Sequence, residues 1–239
     1  MIVRGIRIRG AGSGADRRIK DGINISRGAY NVVIDRVSIY GSEDGNLDIT
    51  EAHDITVCWS IVAKPAGSEK NMLIKYDPSR VTLHHNLFLN ARQRNPHVRI
   101  DDAGTPATET TLDMRNNVIW NWRGGYGTQI GYGSRVNIVN NFYSNRGFSS
   151  NDRKQAIIVC KGECDANRAS SARAYVAGNF SNDGFTEHIN SQGTESAPFP
   201  APPVDTTDSH TGCGQVLALA GVRPLDWTDQ EQLSRVSCE

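Results

Sequence analysis

No apolar run in this chain approaches the ~18 residues that a membrane-spanning helix requires. Net charge is absent as well. Lys+Arg and Asp+Glu each number 26, which argues against a general affinity for nucleic acid or a membrane surface, though not against local patches. No leader-like stretch precedes Met1–Ile8, which reads directly as strand. The chain is therefore either cytoplasmic or follows a leader lying outside this sequence. Helical periodicity is almost missing before about residue 215. What remains is 239 residues with 38% hydrophobic and 22% charged side chains, enough to bury a core as one domain or as a stack of repeats.

Cysteine is scarce. Cys58 lies in the apolar stretch Ile55–Val62 and reads as a buried thiol. Cys160, Cys164, Cys213 and Cys238 fall in the C-terminal third and suit one or two disulfides, whose pairing spacing does not fix. Zinc is the rival reading, but neither a second Cys pair of that type nor a nearby His set supports it.

Strand-length runs rich in β-branched and aromatic residues recur: Met1–Ile8, Val32–Tyr40, Ile55–Val62, Val81–Phe88, Thr111–Trp120, Val136–Tyr143 and Ala174–Phe180. Several share a detail. Asn86, Asn117, Asn141 and Asn179 each precede an apolar or aromatic residue, and Ser60 fits the same series one repeat earlier. Asn favours turns in general. Recurrence in matching context points instead to a solenoid whose coils bend at a stacked Asn, with loops of variable length between coils. The expected fold is all-β, a parallel β-helix over residues 1–195. A tail over 196–239 is expected to pack on it, with Ser196–Thr207 Pro-rich and extended. Two short helices are expected at Gly214–Ala220 and Asp229–Val236, the second opened by Thr228 as N-cap.

Three carboxylates stand out. Asp44 and Asp48 flank Gly45-Asn46-Leu47, and Asp21 opens Asp-Gly-Ile-Asn-Ile one coil earlier. A coil rise of ~4.8 Å brings Asp21 near the other two. Such a cluster repels itself unless a cation is present, and all-oxygen donors favour Ca²⁺. Asp also marks ordinary solvated turns, so each alone is weak. A basic set follows: Lys70, then Arg92, Arg94 and Arg99 around Pro96. Acids on one coil and bases on the next two suit a polyanion, whose carboxylates arginine grips with a two-point fork.

These residues sit in strings that resemble the pectate lyase superfamily, polysaccharide lyase family 1. The strings are DGINI (21–25), NVVIDRVSI (31–39), DGNLDI (44–49), ITVCWSIV (55–62), KNMLIK (70–75), VTLHHNLF (81–88), RNPHVR (94–99) and residues 116–143, all in family order. The match covers about residues 1–150 and weakens through the tail.

The resemblance implies a right-handed parallel β-helix, secreted, that acts as a calcium-dependent pectate lyase on polygalacturonate by anti-β-elimination. It places Asp21, Asp44 and Asp48 on calcium-ligand positions. Lys70 falls on the position that binds the substrate carboxylate, Arg94 on the catalytic base and Arg99 on the motif's second arginine. Arg92 is an added substrate contact. Three positions depart from the family pattern: Arg36 stands where a His usually follows the Asp of Asp35, Lys75 replaces a Gly, and Asp44 replaces a longer Glu.

Removing a proton α to a carboxylate builds charge that a Lewis acid and cationic donors stabilise. Free arginine has a pKa above ~12, so a base role needs neighbouring charge and alkaline pH. A pectin lyase acting on methyl-esterified chains, and a non-catalytic carbohydrate-binding β-helix, are the alternatives. Arg18-Ile19-Lys20 resembles a motif of pectin-hydrolysing glycosidases but comes first rather than near the end, so it reads as chance. Finally, Met1–Ile8 is expected to leave an open strand edge. Self-association, cover by Ser196–Thr207, or blocking by Arg4, Arg7 and Arg9 would each protect it.

Overall fold

The computed structural model describes residues 1–10, 20–101, 105–124, 126–145, 155–159, 172–181, 188–189 and 193–239. Cys160, Cys164, Arg18 and Ile19 lie outside the described residues. Each apolar run of the sequence is two short strands rather than one, because the chain bends sharply in its middle. Ile2–Arg4 (β1), Tyr30–Asp35 (β4), His53–Cys58 (β7), Ser79–His84 (β10), Leu112–Arg115 (β13), Arg135–Val139 (β16) and Arg173–Ala177 (β19) form sheet A. Beyond each bend, Arg7–Arg9 (β2), Ser38–Tyr40 (β5), Ile61–Ala63 (β8), Leu87–Leu89 (β11), Val118–Trp120 (β14), Phe142–Ser144 (β17) and Phe180–Ser181 (β20) form sheet B. Sheet C is made by Ile23–Ile25 (β3), Gly45–Thr50 (β6), Lys70–Lys75 (β9), His97–Val98 (β12), Thr128–Ile130 (β15), Ile157–Val159 (β18) and His188–Ile189 (β21). All pairings are parallel, and each sheet takes one strand per coil. The fold is a right-handed parallel β-helix.

The bend between sheets A and B repeats one conformation. Gly5, Arg36, Trp59, His85, Asn116, Asn140 and Gly178 all take positive φ there, from 49° to 69°. This left-handed region is costly for most side chains, so the surrounding stack must enforce it. The ladder one residue on supplies part of that enforcement. Asn117 Oδ1 accepts from both the backbone N–H and the side-chain amide of Asn86, each at 3.0 Å. Asn141 does the same for Asn117, and Asn179 for Asn141. Ser60 N–H joins through Asn86 Oδ1 at 3.0 Å.

Inside, side chains of equivalent positions stack. Ile25, Ile49, Ile74, Val98, Ile130 and Val159 are paired in register and buried. Strand alternation then puts Asn24, Asp48, Leu73, His97 and Gln129 on the other face of sheet C.

The tail packs on the outside. Cys213 and Cys238 form a disulfide, and Cys213, Val216, Ala220 and Val236 bury against Leu87, Val118 and Phe142 of sheet B. The first helix, Ser209–Leu219 (α1), starts earlier than expected because the Asp208 side chain accepts from the N–H groups of His210 and Thr211. The second, Trp227–Leu233 (α2), is capped by Asp226, which accepts from Asp229 N–H, and not by Thr228.

The Pro-rich stretch does not cover the first strand. It runs over sheet A, where the Asn137 amide pairs with both polar atoms of the Phe199 backbone and Asn116 does the same with Thr207. What reaches the first coil is α2: Arg9 meets Asp226 at 2.8 Å and Asp229 at 3.2 Å. Met1 and Ile2 stay exposed.

Candidate active site on sheet C

The candidate residues gather on the outer face of sheet C and the turns that enter it. Asp48 is mid-strand in β6. Its Oδ1 accepts from the Leu73 N–H of the next coil at 2.9 Å. A Cβ built on Gly45 would lie 2.5 Å from the same oxygen, so only glycine leaves room for this carboxylate. Asp21 converges on the same glycine from the preceding coil. Its Oδ1 accepts from Gly45 N–H at 3.1 Å, and its Oδ2 from the Asn24 amide at 3.2 Å. Asp44 ends the turn that enters β6, is exposed, and is fixed through its backbone to Lys20 and Ser68.

Burial pushes the Asp48 carboxyl up to about 6. The Asp21 and Asp44 charges push the same way, whereas the Leu73 N–H and the Arg94 charge oppose the rise. Burial leads the rise, the neighbouring carboxylates add to it, and the Arg94 charge offsets it only in part. Among the described residues, no three His, Cys, Asp or Glu side chains form a ready-made metal cage. Asp21 and Asp48 are the pair that the backbone already holds together. Their donors are all oxygen, which fits a hard cation such as Ca²⁺.

The bases follow on the next coils. Lys70 opens β9 opposite Gly45 and bridges to Gln93, the residue before Arg94. Arg94 has φ 65°, its carbonyl accepts from Met72 N–H, and its Nε is buried without a hydrogen-bond partner. Arg99 follows β12 and donates its N–H to the Ile74 carbonyl at 3.0 Å. Arg92 is exposed.

A second ladder under this face escaped the sequence reading. Asn46 donates to Asn71 Oδ1 at 2.8 Å, and Asn71 to Asn95 Oδ1 at 2.7 Å, all three buried. Each follows directly on Gly45, Lys70 or Arg94, so the ladder sets these residues on successive coils. Its signal was present as Asn at separations of 25 and 24.

The positions that depart from the family pattern are accounted for. Asp35 is buried and bound by Arg4 at 2.6 Å and by Arg36 at 3.0 Å. Lys75 is buried, with Nζ 4.0 Å from the Tyr76 ring centroid.

The fold is that of a parallel β-helix with acids and bases on adjacent coils, and the proteins it is similar to are named as pectate lyases or probable pectate lyases. The chain is 34% identical over 144 residues to a probable pectate lyase C of Emericella nidulans, covering 60% of this chain and 31% of that protein. It is 30% identical over 146 residues to the probable pectate lyase C of Aspergillus flavus, covering 59% and 32%. The chain thus spans about a third of the length of these curated relatives.

Among solved structures, a pectate lyase from Bacillus sp. N165 in complex with trigalacturonate aligns with TM-score 0.60 at 19% identity, over 93% of this chain and 76% of that one. A Bacillus subtilis pectate lyase mutant aligns with TM-score 0.55 at 17% identity, over 94% and 70%. At these identities the structures speak for the fold. No family profile matches the chain.

Proposed function

We propose that the protein is a calcium-dependent pectate lyase, cleaving α-1,4-polygalacturonate by anti-β-elimination outside the cell. One observation carries the reading. Asp21 and Asp48 meet at Gly45, and Lys70 and Arg94 follow on the next two coils of the same sheet. The curated relatives, named as probable pectate lyases, support it.

Asp21, Asp44 and Asp48 would hold Ca²⁺, which would act as a Lewis acid on a uronate carboxylate. Lys70 and Arg99 hold that carboxylate with charge-assisted bonds, which strengthen as charge builds upon loss of the C5 proton. Arg94 accepts the proton from C5. The C5–H electron pair becomes the C4–C5 double bond, the C4–O bond breaks, and the departing oxygen takes a proton from solvent. Arg92, exposed beside them, contacts the polymer.

The test is the absorbance of the unsaturated product on pectate and on methyl-esterified pectin, each with Ca²⁺ and with chelator. Product from pectate alone, lost with chelator, is the expected result. Activity on pectin that survives chelation would replace this reading with a pectin lyase, and no product on either substrate with a carbohydrate-binding protein.

A further inference from the structure

A cavity of about 520 Å³ opens at the corner between sheets B and C, where α2 docks on the early coils. Among the described residues its wall holds Arg9, Lys64 and Arg123 against one acid, Glu69, with Tyr40 and Thr228 alongside. The volume falls within the range of small-molecule sites.

The three cations differ in availability. Arg9 is engaged by Asp226 and Asp229 while its guanidinium lies 4.5 Å from the Tyr40 ring centroid. Arg123 donates to Glu69 Oε1 at 2.6 Å. Lys64 is exposed at a left-handed corner, φ 48°, and its ammonium meets no acid among the described residues. It is the uncompensated charge of the cavity. A cation facing an open cavity is the chemistry that grips a sugar acid: the Lys64 ammonium takes the carboxylate by a charge-assisted hydrogen bond.

The cavity also shares a wall with the cleft. Glu69 directly precedes Lys70, and its carbonyl accepts from Arg92 N–H at 2.7 Å. Gly124 N–H donates to the Arg92 carbonyl at 2.6 Å, and a Cβ on Gly124 would lie 2.5 Å from Arg92 Cγ. A polymer lying over Arg92 passes the mouth of the cavity.

We infer that this cavity is an accessory site for a uronate residue of an acidic polysaccharide, with Lys64 holding the carboxylate. The inference rests on the reading of the neighbouring cleft as one that handles polygalacturonate. The Pro65–Ser68 loop and α2 form the site together, so it belongs to this chain's own tail as much as to its solenoid.

Amide chemical-shift mapping with trigalacturonate locates the contact directly. Shifts are expected at Lys64, Ala66 and Thr228, separately from those at Leu73 in the cleft. Lys64→Glu should erase the first set and keep the second, and Lys64→Arg should restore it. On long polygalacturonate, Lys64→Glu should raise KM about three- to fivefold, the scale of one exposed charged contact, with kcat on trigalacturonate unchanged. If no product forms but the Lys64-dependent shifts persist, the lyase reading falls and the accessory site stands. Absence of shifts at these amides would overturn the inference. So would equal shifts with inorganic sulfate or with a neutral galactose trisaccharide.

Discussion

Leu73 donates its backbone N–H to Asp48 Oδ1 at 2.9 Å, so the acid of one coil is oriented by the strand of the next. This single bond does not offset the burial and crowding that hold the carboxyl at about 6. Between the ordinary aspartate value near 4 and about 6, the folded chain binds more protons at Asp48 than the unfolded chain does. Stability from this group therefore falls as pH rises through that window. Asp48→Asn keeps an acceptor for Leu73 and removes the charge. In chelator at pH 8 the variant should be more stable than the parent by on the order of 1–2 kcal/mol. Added Ca²⁺ should raise the parent's Tm and leave the variant's unchanged. Melting curves at pH 5 and pH 8 decide it, and a lower Tm for the variant at pH 8 would remove the crowding argument.

Gly45 tests the same carboxylate from the other side. Alanine there would put a methyl 2.5 Å from Asp48 Oδ1, while the N–H to Asp21 survives. The strand can absorb the change only by turning Asp48 away. Gly45→Ala should weaken Ca²⁺ affinity by about tenfold or more, as loss of ligand orientation does, with the fold retained. Calorimetric Ca²⁺ titration beside a circular dichroism spectrum checks both halves.

Much of this was legible in the chain, and the reasons are local. Asn86, Asn117 and Asn141 repeat in matching context because each coil reuses one bend, so periodicity gave the solenoid. Where each run breaks was hidden: Trp59, His85 and Arg36 take left-handed backbone that their side chains do not favour, so only stacking reveals the corner. The tail was half legible. Asp208 and Asp226 are good caps in plain view, yet Thr228, two residues after Asp226, is as good a cap by residue type. The Pro-rich stretch gives no pattern that chooses a sheet. Its partners Asn116 and Asn137 are far away in sequence. For the site, motif order marked Asp48, Lys70 and Arg94. The supporting ladder of Asn46, Asn71 and Asn95 went unseen because motif residues stood next to every member.

Arg94 is placed beside Asp48 by charge and behind Lys70 by register, with Nε buried and unpartnered. Lysine preserves the charge but not the planar fork. Arg94→Lys should lose turnover on pectate by about a thousandfold or more, in the range of removing a general base together with its positioning. Pectate binding and Tm should stay near those of the parent. Initial rates and binding isotherms on the same preparation separate the two effects, and near-normal turnover would take Arg94 out of the mechanism.

The Asn ladder makes a prediction about stability alone. Asn117 is fully buried. Its amide donates to the Leu83 carbonyl at 2.9 Å and to Asn141 Oδ1 at 3.0 Å, while its oxygen serves Asn86 twice. Alanine would leave the Asn86 N–H and the Leu83 carbonyl without these partners in a buried bend. Asn117→Ala should cost about 2–4 kcal/mol. Denaturant unfolding measures it, and a loss below about 1 kcal/mol would mean that water or a shifted chain replaces the ladder.

His84 and His85 supply the acid limit of the fold. Their Nδ1 atoms lie 3.0 Å apart, a contact in which one imidazole donates and the other accepts, so the pair cannot be doubly protonated and keep it. His85 is also stacked on Trp59 at 4.2 Å. Burial holds the His84 imidazole down at about 4, and the His85 charge adds to this, against opposing pulls from Asp35 and Asp113. Burial lowers His85 too. Because the folded value lies below the unfolded value of about 6.5, the unfolded chain binds more protons between the two. Stability from His84 is complete above about 6.5 and is lost as pH falls toward 4. Part of the ring is solvated, so the loss should be on the order of 2 kcal/mol rather than the full shift. Asp48 acts with the opposite sign over an overlapping window, so the raw pH curve of the parent mixes the two. The difference between parent and His84→Gln isolates the imidazole. That difference should favour the parent at pH 7 and shrink or reverse by pH 4.5. Unfolding free energies of both proteins across this range test it, and a difference that does not change with pH would show that His84 is not held neutral in the fold.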